Sequence, residues 1–359
     1  MKRIFLSAIF ICCSIQTVWA LDSSLPPKAQ WESFPIAMYD SDTGFGLGAK
    51  SVLLNQLGYQ ESADLTLFAS TLGERWARLV VSHPDFSLRQ GTLYPLSLDA
   101  KVEYDRMIQN HFFGVGNRTE SSSKETFNKE PLTLEMTGGH GFSKSFSITA
   151  GGRYRCIVNS KAKADGLLES MGSPSVGRVA YGSAFLGVQY DTRNSYLRPS
   201  KGWMLEGEVE KAPGHVGEDK NYTRWDTTFR RYIPLDCLRS VLAFRLRLQG
   251  LDHRDLPVQT LLSLGGGSSL RGYPQDRFLD TALALTNAEC RFPIYKRLGG
   301  IAGCDAGKVW DSFGEADLKR WAVNSVAGLR LYMETFTVRV DYGLSREGSG
   351  LYFNFDQVI

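Results

Sequence analysis

The chain has 359 residues and a formal net charge of +3, with no basic arm or Lys/Arg block, so a nucleic-acid partner is not indicated. Aromatic residues make up 12% and glycine numbers 36, yet beyond residue 20 no apolar run of about eighteen residues occurs, which excludes membrane-spanning helices. Neither a CxxC pair nor a Cys/His metal spacing is present, so no metal, cofactor or small-molecule substrate is assigned.

Residues 1–20 read as an export signal. Lys2 and Arg3 supply the positive start, an apolar stretch follows to Cys13, and Val18-Trp19-Ala20 forms a small-residue cleavage site. The apolar stretch is too short to span a bilayer as a helix, which takes roughly 20 residues. Cys12 lacks the small residue that precedes a lipid-modified cysteine. Cleavage after Ala20 removes Lys2 and Arg3 and leaves a net charge of about +1. Residues 21–30 are then a short periplasmic segment, with a barrel from 31 to 359 and no room for a second folded domain between.

Strand one is predicted near 31–39. Further along, Leu132, Leu134 and Met136 alternate with Thr133, Glu135 and Thr137. Leu242, Phe244, Leu246 and Leu248 alternate with Arg245, Arg247 and Gln249, and Phe336, Val338, Val340 and Tyr342 with Thr337, Arg339 and Asp341. Leu351, Phe353 and Phe355 alternate with Tyr352, Asn354 and Asp356 in a last strand near 350–357. A period of two means strands with two different environments. A secreted soluble sandwich shares that pattern, but two features favour a transmembrane barrel. Like charges stack on the polar face (Glu206, Glu208, Glu210; Arg245, Arg247), as a hydrated lumen allows. Aromatic rings recur near strand ends at Trp76, Tyr94, Tyr190, Trp203, Trp225, Tyr232, Trp310 and Trp321, the placement of interfacial belts.

The links alternate in length. Tight ones fall near 143–144, 234–236, 293–297 and 333–334; longer polar ones cover about 106–129, 159–176, 212–221, 251–280 and 311–322. Short periplasmic turns and long outer loops place both termini in the periplasm and make the strand number even. The fold class is all-β, a transmembrane antiparallel β-barrel of about sixteen strands, with fourteen as the alternative count. Closure removes edges that lipid could not satisfy.

The longest late loop carries Gly265-Gly266-Gly267-Ser268-Ser269-Leu270-Arg271-Gly272-Tyr273-Pro274. A phosphate cradle would need a GKS or GKT ending and a following helix, and neither is present. A flexible surface loop is one reading. The other is a loop folded back into the lumen, where Arg271 needs an acidic partner. Asn287, Glu289 and Arg291 share one face of the next strand, and Gly303, Asp305 and Gly307 share one face of the strand after it. The glycines beside Asp305 leave space for a docking loop.

No GxSxG elbow occurs, and His83, His111, His140, His215 and His253 have no Ser/Asp constellation around them. A hydrolytic enzyme is therefore not the reading, and His140 is placed in the lumen. Cys290 and Cys304, beside proposed lumen acids on neighbouring strands, are expected to face outward. They read as separate lipid-facing small residues, with a cross-strand disulfide as the alternative. Cys156 and Cys237 carry no assignment.

Leu270-Arg271-Gly272-Tyr273 resembles the loop-six signature of the BamA/TamA-like outer-membrane assembly and secretion barrels, the bacterial surface antigen family. Gly303-Cys304-Asp305-Ala306-Gly307 resembles its strand-thirteen motif, (F/G)-x-D-x-G, and Asn287-Ala288-Glu289-Cys290-Arg291-Phe292-Pro293 its strand-twelve segment. Asp191 and Arg193, followed by Pro199 and Gly202, resemble its periplasmic-turn motif D-x-R…P-x-x-G. The resemblance implies that Arg271 points into the lumen and pairs with Asp305, with Glu289 as a second partner. It also implies a weak lateral seam between first and last strands that inserts or translocates proteins at the outer membrane. The partners implied are outer-membrane lipids, unfolded or secreted protein clients, and a separate periplasmic protein. Two departures stand against the pattern: no POTRA domain is expected in the residues before strand one, and Asp356-Gln357-Val358-Ile359 replaces a terminal aromatic. The alternative function is a channel or surface-exposed structural protein that keeps the fold without insertase activity.

Overall fold

The computed structural model describes residues 29–172, 175–213, 222–236, 239–252, 256–317, 319–333, 337–354 and 358–359. The export signal, residues 21–28 and Cys237 lie outside them. The first six strands are β1 (Gln30–Asp40), β2 (Gly44–Leu54), β3 (Ser62–Ser70), β4 (Arg75–His83), β5 (Ser97–Phe112) and β6 (Glu125–Gly141). Next come β7 (Phe146–Ser160), β8 (Gly177–Asp191), β9 (Gly202–Ala212), β10 (Tyr222–Leu235) and β11 (Ser240–Leu251). A small hairpin, β12 (Leu262–Leu264) with β13 (Phe278–Asp280), interrupts the series. The rest are β14 (Ala282–Tyr295), β15 (Leu298–Trp310), β16 (Ala322–Tyr332), β17 (Thr337–Ser345) and β18 (Gly348–Asn354). All but the hairpin join in sequence order into one closed antiparallel barrel of sixteen strands, the number expected from the alternation.

The barrel is inside-out relative to a water-soluble protein. Leu47, Leu67, Met136, Leu186, Val209 and Val323 stand exposed on its outer face, whereas Arg271, Arg277, Arg330 and Arg339 are among its largest fully buried side chains. A soluble monomer rarely exposes a contiguous apolar band of that extent, so the sandwich alternative falls. The stacked like charges are neutralised across strands: Arg153 meets Glu135, Glu208 and Glu210, and Arg247 meets Asp226. The glutamate ladder is thus matched by arginines on neighbouring strands, whereas Arg245 of the arginine ladder bonds only neutral acceptors, Asn287 and the Ser268 and Val358 carbonyls.

Several local expectations need correction. From β5 to β17 the short-inside, long-outside rule holds except at the inner link 192–201, which is as long as its outer neighbour 213–221, and it inverts early. Links 41–43 and 71–74 are tight at the loop-six end, while 55–61 and 84–96 are longer at the opposite end. The third outer loop is also shorter than 106–129, because β5 runs on to Phe112 and β6 starts at Glu125 around a register shift between Met107 and Asn110. Tyr232 faces the lumen, buried against Ala243 and Val358, because it shares the parity of Arg230. His140 has the opposite parity to Glu135 and sits outside, its Nδ1 2.6 Å from the Pro95 carbonyl. Trp76 also faces the lumen, on the parity of Arg78, and its Nε1 donates to Glu103 at 3.0 Å, whereas Trp225, Phe313, Trp310 and Trp321 cluster together, with successive ring centroids 4.9, 5.9 and 6.0 Å apart. Cys156, Cys290 and Cys304 are free thiols, and Cys290 lies opposite Ala302 rather than Cys304, which removes the disulfide alternative.

Candidate functional site

Residues 252–281 connect β11 to β14 as loop six. Its descent into the barrel is driven by apolar side chains that find partners on three sides of the wall. Leu264, Leu270, Tyr273 and Phe278 pack on Leu283, Leu285 and Val309 of β14 and β15. Leu256 packs on Val179, Tyr181 and Tyr222, and Val258 and Leu279 on Phe112, Phe127 and Leu168. Together these clusters plug the loop-six end of the lumen with hydrocarbon.

At the tip the chain must pass within backbone contact of β17. Gly272 adopts φ +106°, and a Cβ on it would lie 2.9 Å from the Gly343 carbonyl carbon. Gly343 is equally constrained, since its own Cβ would sit 2.3 Å from the Arg271 carbonyl. Gly307 on β15 leaves the room that Leu264 and Leu270 fill. Gly303 faces the same way and approaches the Ala288 carbonyl of β14. Only residues without a side chain allow the loop to seat this deeply.

Arg271 is fully buried and donates to three carboxylates. Its Nε and Nη2 reach the two oxygens of Asp305 at 3.0 and 2.7 Å, and Nη1 reaches Glu289 at 2.6 Å and Asp341 at 3.0 Å. The sequence singled out Asp305 and Glu289; Asp341 on β17 is the partner it missed. Its signal was available, because Asp341 lies on the polar face of a strand read from alternation. The carboxylates are themselves satisfied. Asn287 and Asn324 donate to Asp305 at 2.7 and 2.9 Å, Arg291 to Glu289 at 3.1 Å, and Arg330 and Arg339 to Asp341 at 2.5 and 3.2 Å. A dry, multiply hydrogen-bonded cluster of this kind is highly sensitive to loss of one member.

Loop six also ties the two ends of the sheet together. Gly272 N–H donates to the Tyr352 hydroxyl of β18 at 3.1 Å, and the Ser345 hydroxyl donates to the Gly272 carbonyl at 2.8 Å. Gln275 N–H donates to Asp42 in the β1–β2 turn at 2.7 Å. The Tyr273 hydroxyl meets the Val323 carbonyl at 3.3 Å. Nothing in the sequence marked Asp42 or Tyr352 for this role.

Those tethers lie where the described strand pairing is shortest. β1 is in register with β2 over eleven residue pairs, whereas its described pairing with β18 is confined to Tyr39 opposite Phe353 and Asp40 opposite Tyr352. Trp31 to Ser33 and Pro35 to Met38 have no β18 partner among the described residues. Pro35 within β1 suits an edge, since proline cannot donate to a ladder.

Near this seam, burial and then the charge of Asp105 push Glu74, in the 71–74 turn, up to about 7, and burial raises Asp42 as well. A raised carboxyl contributes stability that is present below its ordinary value of 4.5 and lost as pH rises through about 7. The thermal midpoint is therefore expected to fall between pH 5 and pH 8, with Glu74 contributing on the order of 1–3 kcal/mol. Glu74→Gln should flatten that slope; an equally steep profile would remove Glu74 as its source.

The periplasmic-turn residues form a separate site at the opposite end. Arg193 forks onto Asp191 at 3.0 and 2.8 Å, and Gln90 reaches Asp191 at 3.5 Å from the link before β5. Gly202 has φ +101°, and a Cβ there would lie 2.3 Å from the Thr192 carbonyl; Pro199 is buried beside it. These residues do not approach Arg271; they shape the other mouth.

The sequence profile of the Omp85 superfamily domain matches residues 55–355. Among solved structures, BamA from Haemophilus ducreyi lacking POTRA domains 1–3 superposes with a TM-score of 0.64 at 17% identity, over 92% of this chain and 70% of that one. CdiB from Escherichia coli gives 0.62 at 14% identity, over 90% and 62%, and CdiB from Acinetobacter baumannii 0.54 at 15%, over 91% and 59%. This chain thus spans less than two thirds of either CdiB. No curated protein sequence matches it.

Proposed function

The chain belongs to the Omp85 superfamily, a family of bacterial outer-membrane barrels, and from that premise we propose that it inserts or translocates client proteins through the seam between β1 and β18. The observation that carries this is the inequality of the two pairings of β1: eleven residue pairs with β2 and two described pairs with β18. An edge whose backbone groups lack a partner is costly in lipid and is a template for an incoming strand. A client strand would hydrogen-bond along β1, the two edges would part, and the nascent sheet would leave sideways into the bilayer. No covalent chemistry is required of the protein.

Loop six sets the starting state. Through Arg271 it holds β14, β15 and β17, through Gly272 it holds β18, and through Gln275 it holds the β1–β2 turn. It keeps the two flanks of the seam in place around a described β1–β18 pairing of two residue pairs. The clients are unfolded or secreted proteins, received with the help of a separate periplasmic partner, and the chain reaches the membrane by a signal cleaved after Ala20. The alternative is a passive channel or a surface-exposed structural protein. The hydrocarbon plug of Leu264, Leu270, Tyr273 and Phe278 speaks against an open pore.

Depletion in the native cell, followed by quantification of outer-membrane proteins, tests the reading. A subset of barrels or one secreted protein is expected to fall severalfold. If every barrel assembles normally and secretion is unchanged, the insertion reading fails and the structural one takes its place.

A further inference from the structure

Between the loop-six plug and the opposite mouth lies a cavity of about 710 Å³, within the range of roughly 300–1,000 Å³ typical of small-molecule sites. Its lining is strongly asymmetric in charge. Eleven Lys and Arg side chains, nine of them arginine, face six Asp and Glu. The chain as a whole is nearly neutral, with 41 basic and 38 acidic residues, so this is a local concentration.

Part of the positive charge is matched by the wall, as in the contacts of Arg153 with Glu135 and Glu208. Part is not. Arg78 of β4 and Arg224 of β10 line the cavity and make no ion pair among the described residues, and the buried Nε of Arg78 has no hydrogen-bond partner. Arg230 and Arg245 stand directly opposite each other in the β10–β11 register, an arrangement that destabilises a sheet unless an anion intervenes. Arg230 pairs with Glu206, but Arg245 spends its donors on neutral acceptors, Asn287 and the Ser268 and Val358 carbonyls.

We propose that this chamber binds a small, multiply phosphorylated anion that enters from the end opposite loop six. Loop six closes the other end, so the chamber is a blind vestibule whose low-dielectric walls focus the positive field toward its mouth. Arginine presents a rigid fork of donors that matches phosphate oxygens two at a time. The surplus of five positive groups in the lining falls to four when Glu210, which pairs with Arg153 and Arg155 just behind it, is counted, and it still calls for several negative charges in a confined volume. Phosphate supplies about 1.5 to 2 charges per group and carboxylate only one. The proposal is independent of the seam, because none of these residues lies on β1 or β18. The source of the phosphates is either a lipid headgroup or a soluble ester.

The test is calorimetric titration of sodium tripolyphosphate into the full-length protein in nanodiscs of zwitterionic lipid. Saturable binding that weakens with added salt is expected. Arg78→Gln with Arg224→Gln should bind about tenfold more weakly. Neither residue holds a wall carboxylate in an ion pair, so the heat-resistant folded form should persist. If the double variant fails to fold, Arg224→Gln alone should show about a threefold loss. Nanodiscs doped with a phosphorylated lipid identify the source: weakened tripolyphosphate binding by competition marks a headgroup, and unchanged binding marks a soluble ester. Absence of saturable binding, equal binding by the variants, or equally tight binding of a polyglutamate peptide of matched charge would overturn the proposal.

Discussion

Arg271→Ala is expected to destabilise the folded barrel by about 3–5 kcal/mol, the usual cost of deleting one partner from a buried ion-pair network. The side chain engages Glu289, Asp305 and Asp341, all fully buried, and water entering the space left by alanine would not supply the lost positive charge. Removing it leaves Asp305 with only the amides of Asn287 and Asn324 as side-chain donors. Arg291 still faces Glu289, and Arg330 and Arg339 still face Asp341, so these two lose less.

The consequence reaches beyond stability. The Gly272–Tyr352 and Gln275–Asp42 contacts depend on the loop tip being held at its depth by Arg271. Once released, the tip should withdraw, open the plug and loosen both flanks of the seam. Larger and noisier conductance in lipid bilayers is expected, with the heat-resistant form lost at lower temperature. Arg271→Lys should fall between, since one ammonium keeps the charge but cannot satisfy Asp305 through a fork while also reaching Glu289 and Asp341. Unchanged heat resistance together with unchanged conductance would contradict the docked loop.

Much of this was legible in the sequence, because barrel physics writes itself into a period of two. The polar parity of β11, β14 and β17 marks lumen faces in the sequence alone, and the sixteen strands follow from the same alternation. Arg271 stood out as a cation in a glycine-rich loop with acids on the next two strands. What stayed hidden depends on closure. Asp42 and Tyr352 are separated by 310 positions in a barrel where they flank one seam, and no local pattern reports which edges meet. Tyr232 misled because aromatic residues near strand ends serve both interfacial belts and lumen packing; only its parity relative to Arg230 separates the two. The early links misled because their lengths invert the usual rule while β1 to β4 remain short. The basic vestibule was invisible for a further reason: its arginines come from four strands and two links, and charge stacking within one strand does not reveal the balance around the circle.

The central claim is that β1 and β18 must part for a client to pass, and locking them is the most direct test. Tyr39→Cys with Phe353→Cys places two thiols on residues opposite each other in the seam register, where facing β-carbons lie about 4.5–5.5 Å apart and a modest adjustment permits a disulfide. The native cysteines, including outward-facing Cys156, Cys290 and Cys304, are first replaced by serine so that only one bridge can form. In proteoliposomes supplied with an unfolded barrel client, the oxidised protein should lose client assembly to the level of empty vesicles, and reduction should restore it. Equal assembly rates in the oxidised and reduced states, with the bridge verified by mass, would contradict the account.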